Sequence, residues 1–342
     1  MSKPIVLRLG DIRYAQAAWK KFGQEYDVIA IDSTSGYTRE KFLKELQDPA
    51  SKLSKVSVIT RTFPSVQQTG LFDKELCDAL PSSVKAICHN GAGYDQIQVE
   101  HFLERGIQVS NVPELVNNST ADTHVFLLLG ALRNFKKGML QLDAGNWNKD
   151  CAPGYDPCEK GVVGVLGLGG IGRCVVQRLK AFGFTKFLYH NRHRLQDPEL
   201  ENGCEYVSFD ELLAKSDVLS INIPLNAKTR HIINADAFAK MKNGVVVVNT
   251  ARGAVIDEQE LINNLKSGKV ASCGLDVFEH EPNVNKQNNE LLSLSNCFAL
   301  PHQGTNSVHT IKIMEEFVVE NAESYLTSGK VKTIVPEMKG KF

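Results

Sequence analysis

The sequence carries no net charge. Lys plus Arg and Asp plus Glu number 39 each, so no overall positive field is present to hold a polyanion through counterion release. Nucleic-acid binding would need a local basic patch, and the densest cluster, Arg192, His193 and Arg194, is too short to be one. No long apolar run exists either. Nearly apolar stretches such as Val125 to Leu132 fall far short of the roughly 20 residues that span a bilayer, so a transmembrane role is excluded. The eight cysteines, at 77, 88, 151, 158, 174, 204, 273 and 297, form no CxxC pair, which argues for reduced core or loop thiols and against both a disulfide framework and a metal site. Internal repeats and low-complexity tracts are missing, and 26 Gly with 12 Pro is ordinary globular usage that excludes disorder and collagen-like structure. The first residues, MSKPIVLRLG, show no apolar leader, and the last, EMKGKF, show no anchor or peroxisomal signal. The expected compartment is therefore the cytosol.

What the sequence does have is length for two domains and a regular alternation of segment types. Short β-branched runs at 5–9, 27–31, 56–60, 84–88 and 107–112 read as strands, and between them 14–23, 39–46, 73–80 and 99–105 show helical spacing of apolar residues. Residues 118–142 read as one long helix that begins at a Ser119 or Thr120 cap. A second strand–helix series follows, with strands at 161–169, 187–191, 218–224, 244–250, 272–278 and 296–301. Such alternation predicts an α/β fold with parallel sheets. The C-terminal amphipathic segment is too short to fold alone and must dock on one of the two units.

The motif Gly167-Leu-Gly-Gly-Ile-Gly172 fits GxGxxG. Alone it is weak, since roughly 0.15 matches are expected by chance in a chain of this composition. Its position between a buried-strand run and a helical run makes it a dinucleotide turn: Gly167 for the tight bend, Gly169 for close approach of a pyrophosphate, Gly172 for helix–strand packing. Where an enzyme using NAD would offer a carboxylate about 20 residues on, this chain has Asn191, Arg192, His193 and Arg194. Paired guanidinium groups suit a 2′-phosphate, so NADP(H) is expected to be preferred, with NAD(H) possible.

Three later strands end in chemically pointed residues: Arg252 after GVVVVNTA, Asp276 to Glu281 in GLDVFEHEP, and His302 in LPHQGT. A cation for a substrate carboxylate and a His–carboxylate pair for proton transfer are what these residue types suggest, because a neighbouring carboxylate favours the imidazolium form of a general acid.

Together with HNGAGYDQI (89–97), NNSTADTHVFLLLGALRN (117–134), GVLGLGGIGR (164–173) and VNTARGAVID (248–257), these motifs resemble the D-isomer-specific 2-hydroxyacid dehydrogenases, and among them the fungal glyoxylate (hydroxypyruvate) reductases. The resemblance implies two Rossmann-like or flavodoxin-like parallel-sheet domains with a cleft between them, residues 1–114 plus 307–342 binding substrate and 115–306 binding the dinucleotide. It implies His302 as general acid/base, Glu281 as the group that polarises it, and Arg252 as the anchor of a small 2-oxo acid. Asp276 would hold the nicotinamide carboxamide, and the backbone of Ala92 and Gly93 would grip the substrate carboxylate. Gly170, Ile171, Pro224, Thr229, Thr250 and Gly304 complete the implied cofactor contacts. Arg61 is a further candidate for the substrate pocket, while His89 and His124 match no catalytic position and read as structural. A homodimer built through 118–142 is implied as well. Bulkier branched-chain or aryl 2-oxo acids, and a nucleotide-sensing scaffold without turnover, are the competing expectations.

Overall fold

In the computed structural model, which describes residues 3–342, the chain divides into two compact units, one made of Met1–Val116 with Ser307–Phe342 and the other of Asn117–Asn306. The first unit contains a five-stranded sheet: β1 (Ile5–Leu9), β2 (Asp27–Ile31), β3 (Val56–Thr62), β4 (Ala86–Asn90) and β5 (Gln108–Ser110). Its order is β2-β1-β3-β4-β5 and every pairing is parallel. This is the flavodoxin-like order, in which the switch point lies between the first and third strands. Parallel strands covered on both faces need continuous apolar runs, and β3 supplies one, with Val56, Val58 and Ile59 fully buried.

The second unit holds seven strands, β6 (Val162–Leu166), β7 (Lys186–His190), β8 (Glu205–Tyr206), β9 (Val218–Ile221), β10 (Val245–Asn249), β11 (Val270–Leu275) and β12 (Cys297–Ala299). They lie in the order β12-β11-β10-β9-β6-β7-β8, again all parallel. The order reverses at β6 and β9, as in a doubly wound dinucleotide fold. All five residues of β10 are buried, which is why its run of four valines shows no alternation.

The single helix expected over 118–142 is two helices, Asn117–Leu132 and Phe135–Asp143. The break comes at Asn134, whose φ of 55° is left-handed, a conformation that asparagine tolerates better than most residues. Asn134 Nδ2 then donates to Pro153 O at 3.0 Å, tying the break to the following loop. The apolar centre of the first helix is mainly core, with Leu127 and Leu128 fully buried, whereas Phe126 is half exposed. No helix of the described residues is long and apolar enough to cross a membrane.

The C-terminal helix Val308–Ser328 packs on β3, β4 and the helix Gln16–Glu25, so it completes the first unit. Its anchor is Glu315, 2% exposed. One carboxylate oxygen accepts Arg13 N–H at 2.8 Å, and the other accepts the N–H groups of Tyr14 and Ala15 at 2.9 Å each. Hydrogen bonds to a charged acceptor contribute about 1.5–3 kcal/mol. Glu315→Gln, which keeps the shape but replaces one acceptor oxygen with an amide NH2 donor, is expected to lower stability by about 2–3 kcal/mol in urea unfolding; an unchanged midpoint would refute this account of the anchor.

Candidate active site

The glycine turn follows from β6 with the geometry its residues allow. Gly167 has φ of 96° and donates its N–H to His190 O at 3.0 Å, closing the turn against β7. A Cβ on Gly172 would stand 2.4 Å from Gly167 O, and one on Gly170 would stand 2.3 Å from the Asn117 side chain. A Cβ on Gly169 would meet nothing within 4 Å, and this residue caps the helix Gly170–Ala181 without any side-chain acceptor. Gly169 is exposed and Ile171 half-buried, and no side chain caps the first N–H groups of the helix, a donor set that fits a pyrophosphate.

Beyond β7, Asn191 Oδ1 accepts Leu168 N–H at 2.8 Å and ties this strand end to the glycine turn. Arg192 and His193 are exposed. Arg194, expected as half of a paired cation site, bonds Glu201 through Nε at 2.8 Å and Nη2 at 3.1 Å. Glu201 is buried and also accepts the Tyr189 hydroxyl at 2.7 Å. The hydrogen bonds from Arg194 and Tyr189 hold its carboxyl down at about 2. A carboxylate does stand near this strand end, then, supplied by the short helix Pro198–Glu201, and it takes two of the donors of Arg194.

Three neighbouring strands, β10, β11 and β12, carry the other candidate residues at their carboxyl ends. After β10, Asn249 brackets the chain: its Oδ1 accepts Ala251 N–H and its Nδ2 donates to Arg252 O, both at 2.9 Å. Arg252 Nη1 donates to Ala251 O at 2.7 Å. After β11 comes Asp276, 1% exposed. Its Oδ1 accepts Gln303 N–H at 2.6 Å, its Oδ2 accepts Gly304 N–H at 2.8 Å, and its backbone carbonyl accepts His302 N–H at 2.8 Å. Burial pushes this carboxyl up, and the two backbone donors with His302 offset only part of that.

The loop so held puts His302, at φ 55°, against Glu281. Nδ1 lies 2.6 Å from Glu281 Oε2, while Glu281 Oε1 accepts Phe278 N–H at 2.7 Å. An ionised carboxylate only accepts, so the Nδ1 proton is donated to Glu281 and Nε2 is the nitrogen that can exchange a proton. The pair borders a cavity of about 280 Å³ whose lining includes Phe278, Pro282, Leu300 and Pro301. After β9, Thr229 Oγ1 donates to Pro224 O at 2.7 Å and accepts Asn226 N–H at 2.8 Å, which fixes that turn.

Some of the order at these strand ends was not foreseen. His124 is fully buried, with Nδ1 2.9 Å from Thr250 Oγ1 and Nε2 2.8 Å from Ser220 Oγ. It links the ends of β9 and β10 to the helix Asn117–Leu132, and burial lowers it to about 3, so it is neutral. The one available signal was a histidine at the head of the apolar run VFLLLG.

In the first unit, Ala92 and Gly93 lie half-buried in the loop after β4. Arg61 is not a surface arginine: it is 1% exposed. Its Nη1 lies 3.4 Å from His89 Nδ1, its Nη2 donates to Gln96 Oε1, and its guanidinium sits 4.9 Å from the centre of the Phe72 ring. The cause is register, since Arg61 on the interior strand β3 faces His89 on β4. Burial pushes the guanidinium down to about 9, still protonated at neutral pH. Among the described residues, no cluster of three or more His, Cys, Asp or Glu could hold a metal ion.

Known proteins similar to this chain give its family. The family model for the D-isomer specific 2-hydroxyacid dehydrogenase NAD binding domain matches residues 125–304. Glyoxylate reductase 1 of Saccharomyces cerevisiae is 59% identical over 343 residues, 98% of this chain and 96% of that protein. The 4-methyl-2-oxopentanoate reductase A of Aspergillus oryzae is 47% identical across 99% of this chain and 100% of its own. The crystal structure of a glyoxylate reductase from Paecilomyes thermophila superposes with a TM-score of 0.93 at 48% identity, covering 99% of this chain and 100% of that one. With the glycine turn, the three strand ends and near full-length similarity all in agreement, the chain belongs to the D-isomer specific 2-hydroxyacid dehydrogenases and is an NAD(P)-dependent oxidoreductase of the glyoxylate reductase type.

Proposed function

We propose that the protein reduces small 2-oxo acids, glyoxylate to glycolate and hydroxypyruvate to D-glycerate, with NADPH preferred to NADH. The observation that carries this reading is the 2.6 Å contact of His302 with Glu281 at the end of β12, two strands from Arg252 at the end of β10. In this reading Asn117–Asn306 is the dinucleotide-binding domain and the remainder is the substrate domain. The bound dinucleotide supplies the hydride. His302 gives its Nε2 proton to the carbonyl oxygen of the substrate, and Glu281 stabilises the imidazolium from which that proton leaves. Arg252 anchors the 2-oxo acid and steadies the alkoxide as it forms, and in the first unit the backbone of Ala92 and Gly93 is the receptor we assign to a substrate carboxylate.

The cofactor contacts follow from the donors and acceptors in place. Gly167, Gly169, Gly170, Ile171 and Gly172 form the pyrophosphate turn. Each oxygen of Asp276 has a lone pair beyond the one its backbone partner uses, enough to accept a carboxamide N–H. Pro224, Thr229, Thr250 and Gly304 line the rest. Arg192, exposed beside Asn191, is the principal receptor for the 2′-phosphate, and Arg194 can add the N–H groups that Glu201 does not use.

A second reading, reduction of a branched-chain 2-oxo acid, is favoured by the 47% identity to the Aspergillus oryzae 4-methyl-2-oxopentanoate reductase A. A homodimer is the proposed assembly. Phe135, Met139, Leu140 and Leu142 are 45–60% exposed on one short helix, with Trp147 74% exposed just after it, and so many large apolar groups together mark an interface.

Initial rates with glyoxylate are expected to favour NADPH, and Arg192→Ser should cut the NADPH-to-NADH ratio of kcat/KM about tenfold or more, the loss of one charge-assisted phosphate contact. Equal loss with both cofactors would reject the phosphate assignment, and faster turnover of 4-methyl-2-oxopentanoate than of glyoxylate would select the second reading. His302→Asn should lower kcat by about 10²–10⁴-fold while NADPH affinity by fluorescence titration stays unchanged; a variant that retains most of its turnover would end this mechanism. Sedimentation should give about twice the 37.8 kDa chain mass, shifting to one chain in the double variant Met139→Lys and Leu142→Lys. A wild type that sediments as a single chain contradicts the dimer.

A further inference from the structure

Three consecutive carbonyl groups in the loop after β4 are each drawn onto a donor of the first unit. Gly91 O accepts Val112 N–H at 2.9 Å, Ala92 O accepts Asn111 Nδ2 at 2.8 Å, and Gly93 O bonds His89 Nε2 at 2.9 Å. His89 is fully buried and Asn111 is 8% exposed, while the loop itself is half exposed. The only cis bond in the described residues precedes Pro282, so these three peptide units are trans. In a trans peptide the N–H points opposite to the C=O. Carbonyls fixed inward therefore turn the N–H bonds of Ala92, Gly93 and Tyr94 away from those partners, and successive backbone N–H groups so turned can receive an anion.

The direction of the third bond depends on a tautomer. A guanidinium only donates, so Arg61 Nη1 at 3.4 Å requires a lone pair on His89 Nδ1 and leaves the ring proton on Nε2, facing Gly93 O. Gly91 makes room for this reach: a Cβ there would lie 2.7 Å from His89 Nε2.

The geometry points to His89 as a positioning residue, its tautomer set by Arg61, that turns the Gly93–Tyr94 peptide so that its N–H faces the carboxylate of the substrate. This rests on the reading of the enzyme as a 2-oxo acid reductase, and it gives His89, which touches no reacting atom, a part in substrate affinity. His89→Leu removes the Nε2 donor, while His89→Gln places an amide N–H near the same point. Gly91→Ala displaces the ring without changing it.

Steady-state kinetics with glyoxylate, NADPH titration and thermal unfolding should be run on wild type and all three variants. His89→Leu and Gly91→Ala are expected to raise KM for glyoxylate about tenfold or more, with kcat changed less than threefold and NADPH affinity unchanged; His89→Gln should stay within threefold of wild type in KM. A wild-type KM in His89→Leu, or His89→Gln as impaired as His89→Leu, overturns the assignment. So does loss of kcat and NADPH affinity in step with a lowered melting temperature in both His89→Leu and Gly91→Ala, which would make His89 a core residue only. Wild-type turnover with unaffected variants refutes this inference alone, whereas a wild type that reduces no 2-oxo acid refutes the reading beneath it.

Discussion

The carboxylate of Asp276 is the constraint on which the carboxyl ends of β11 and β12 rest. A carboxylate so deeply buried is tolerable only where donors point at it, and the two donors here are the backbone N–H groups of Gln303 and Gly304. Parallel pairing of β11 with β12, Leu275 opposite Ala299, delivers the chain to within reach of Asp276. Meeting both oxygens then forces the chain to fold back sharply, and His302 takes up a left-handed backbone that a non-glycine residue adopts at a cost of about 1–2 kcal/mol. That conformation brings Nδ1 to Glu281, so the pairing of His302 with Glu281 is fixed from the strand side rather than by the histidine itself.

The two units use opposite halves of the peptide group to the same end. Around Asp276 an acceptor side chain gathers N–H groups and so fixes a loop. After β4, donor side chains gather carbonyls and fix another. In both cases a polar group with under a tenth of its surface exposed gives the loop a single arrangement, since any other would leave buried donors or acceptors unmatched at about 1–3 kcal/mol each.

The strands were legible because each is a short β-branched run bounded by turn residues; β1 and β2 lie where their apolar runs do. The glycine turn was legible because its backbone conformations admit few other residues, and the proximity of Glu281 to His302 because each follows a strand of one parallel sheet. What escaped the sequence depends on register or on a single backbone angle. Arg61 lies across from a residue 28 positions away, and no periodicity announces such a partner. Glu201 reaches Arg194 from a one-turn helix too short to show a pattern. The break at Asn134 is hidden because apolar residues continue at helical spacing on both sides of it.

The first unit is assembled from both ends of the chain, and Glu315 closes contacts with residues 300 to 302 positions earlier. On the ribosome, the whole of Asn117–Asn306 emerges before the helix that bears Glu315. At about 5–20 residues per second, that is a delay of roughly 10–40 s. During it the backbone donors of Arg13, Tyr14 and Ala15 lack their acceptor, and the faces of β3 and β4 that the last helix covers stand open to other surfaces. The continuous unit is thus native first, and the discontinuous one passes through a window in which it is exposed to chaperones, proteases and other nascent copies of itself.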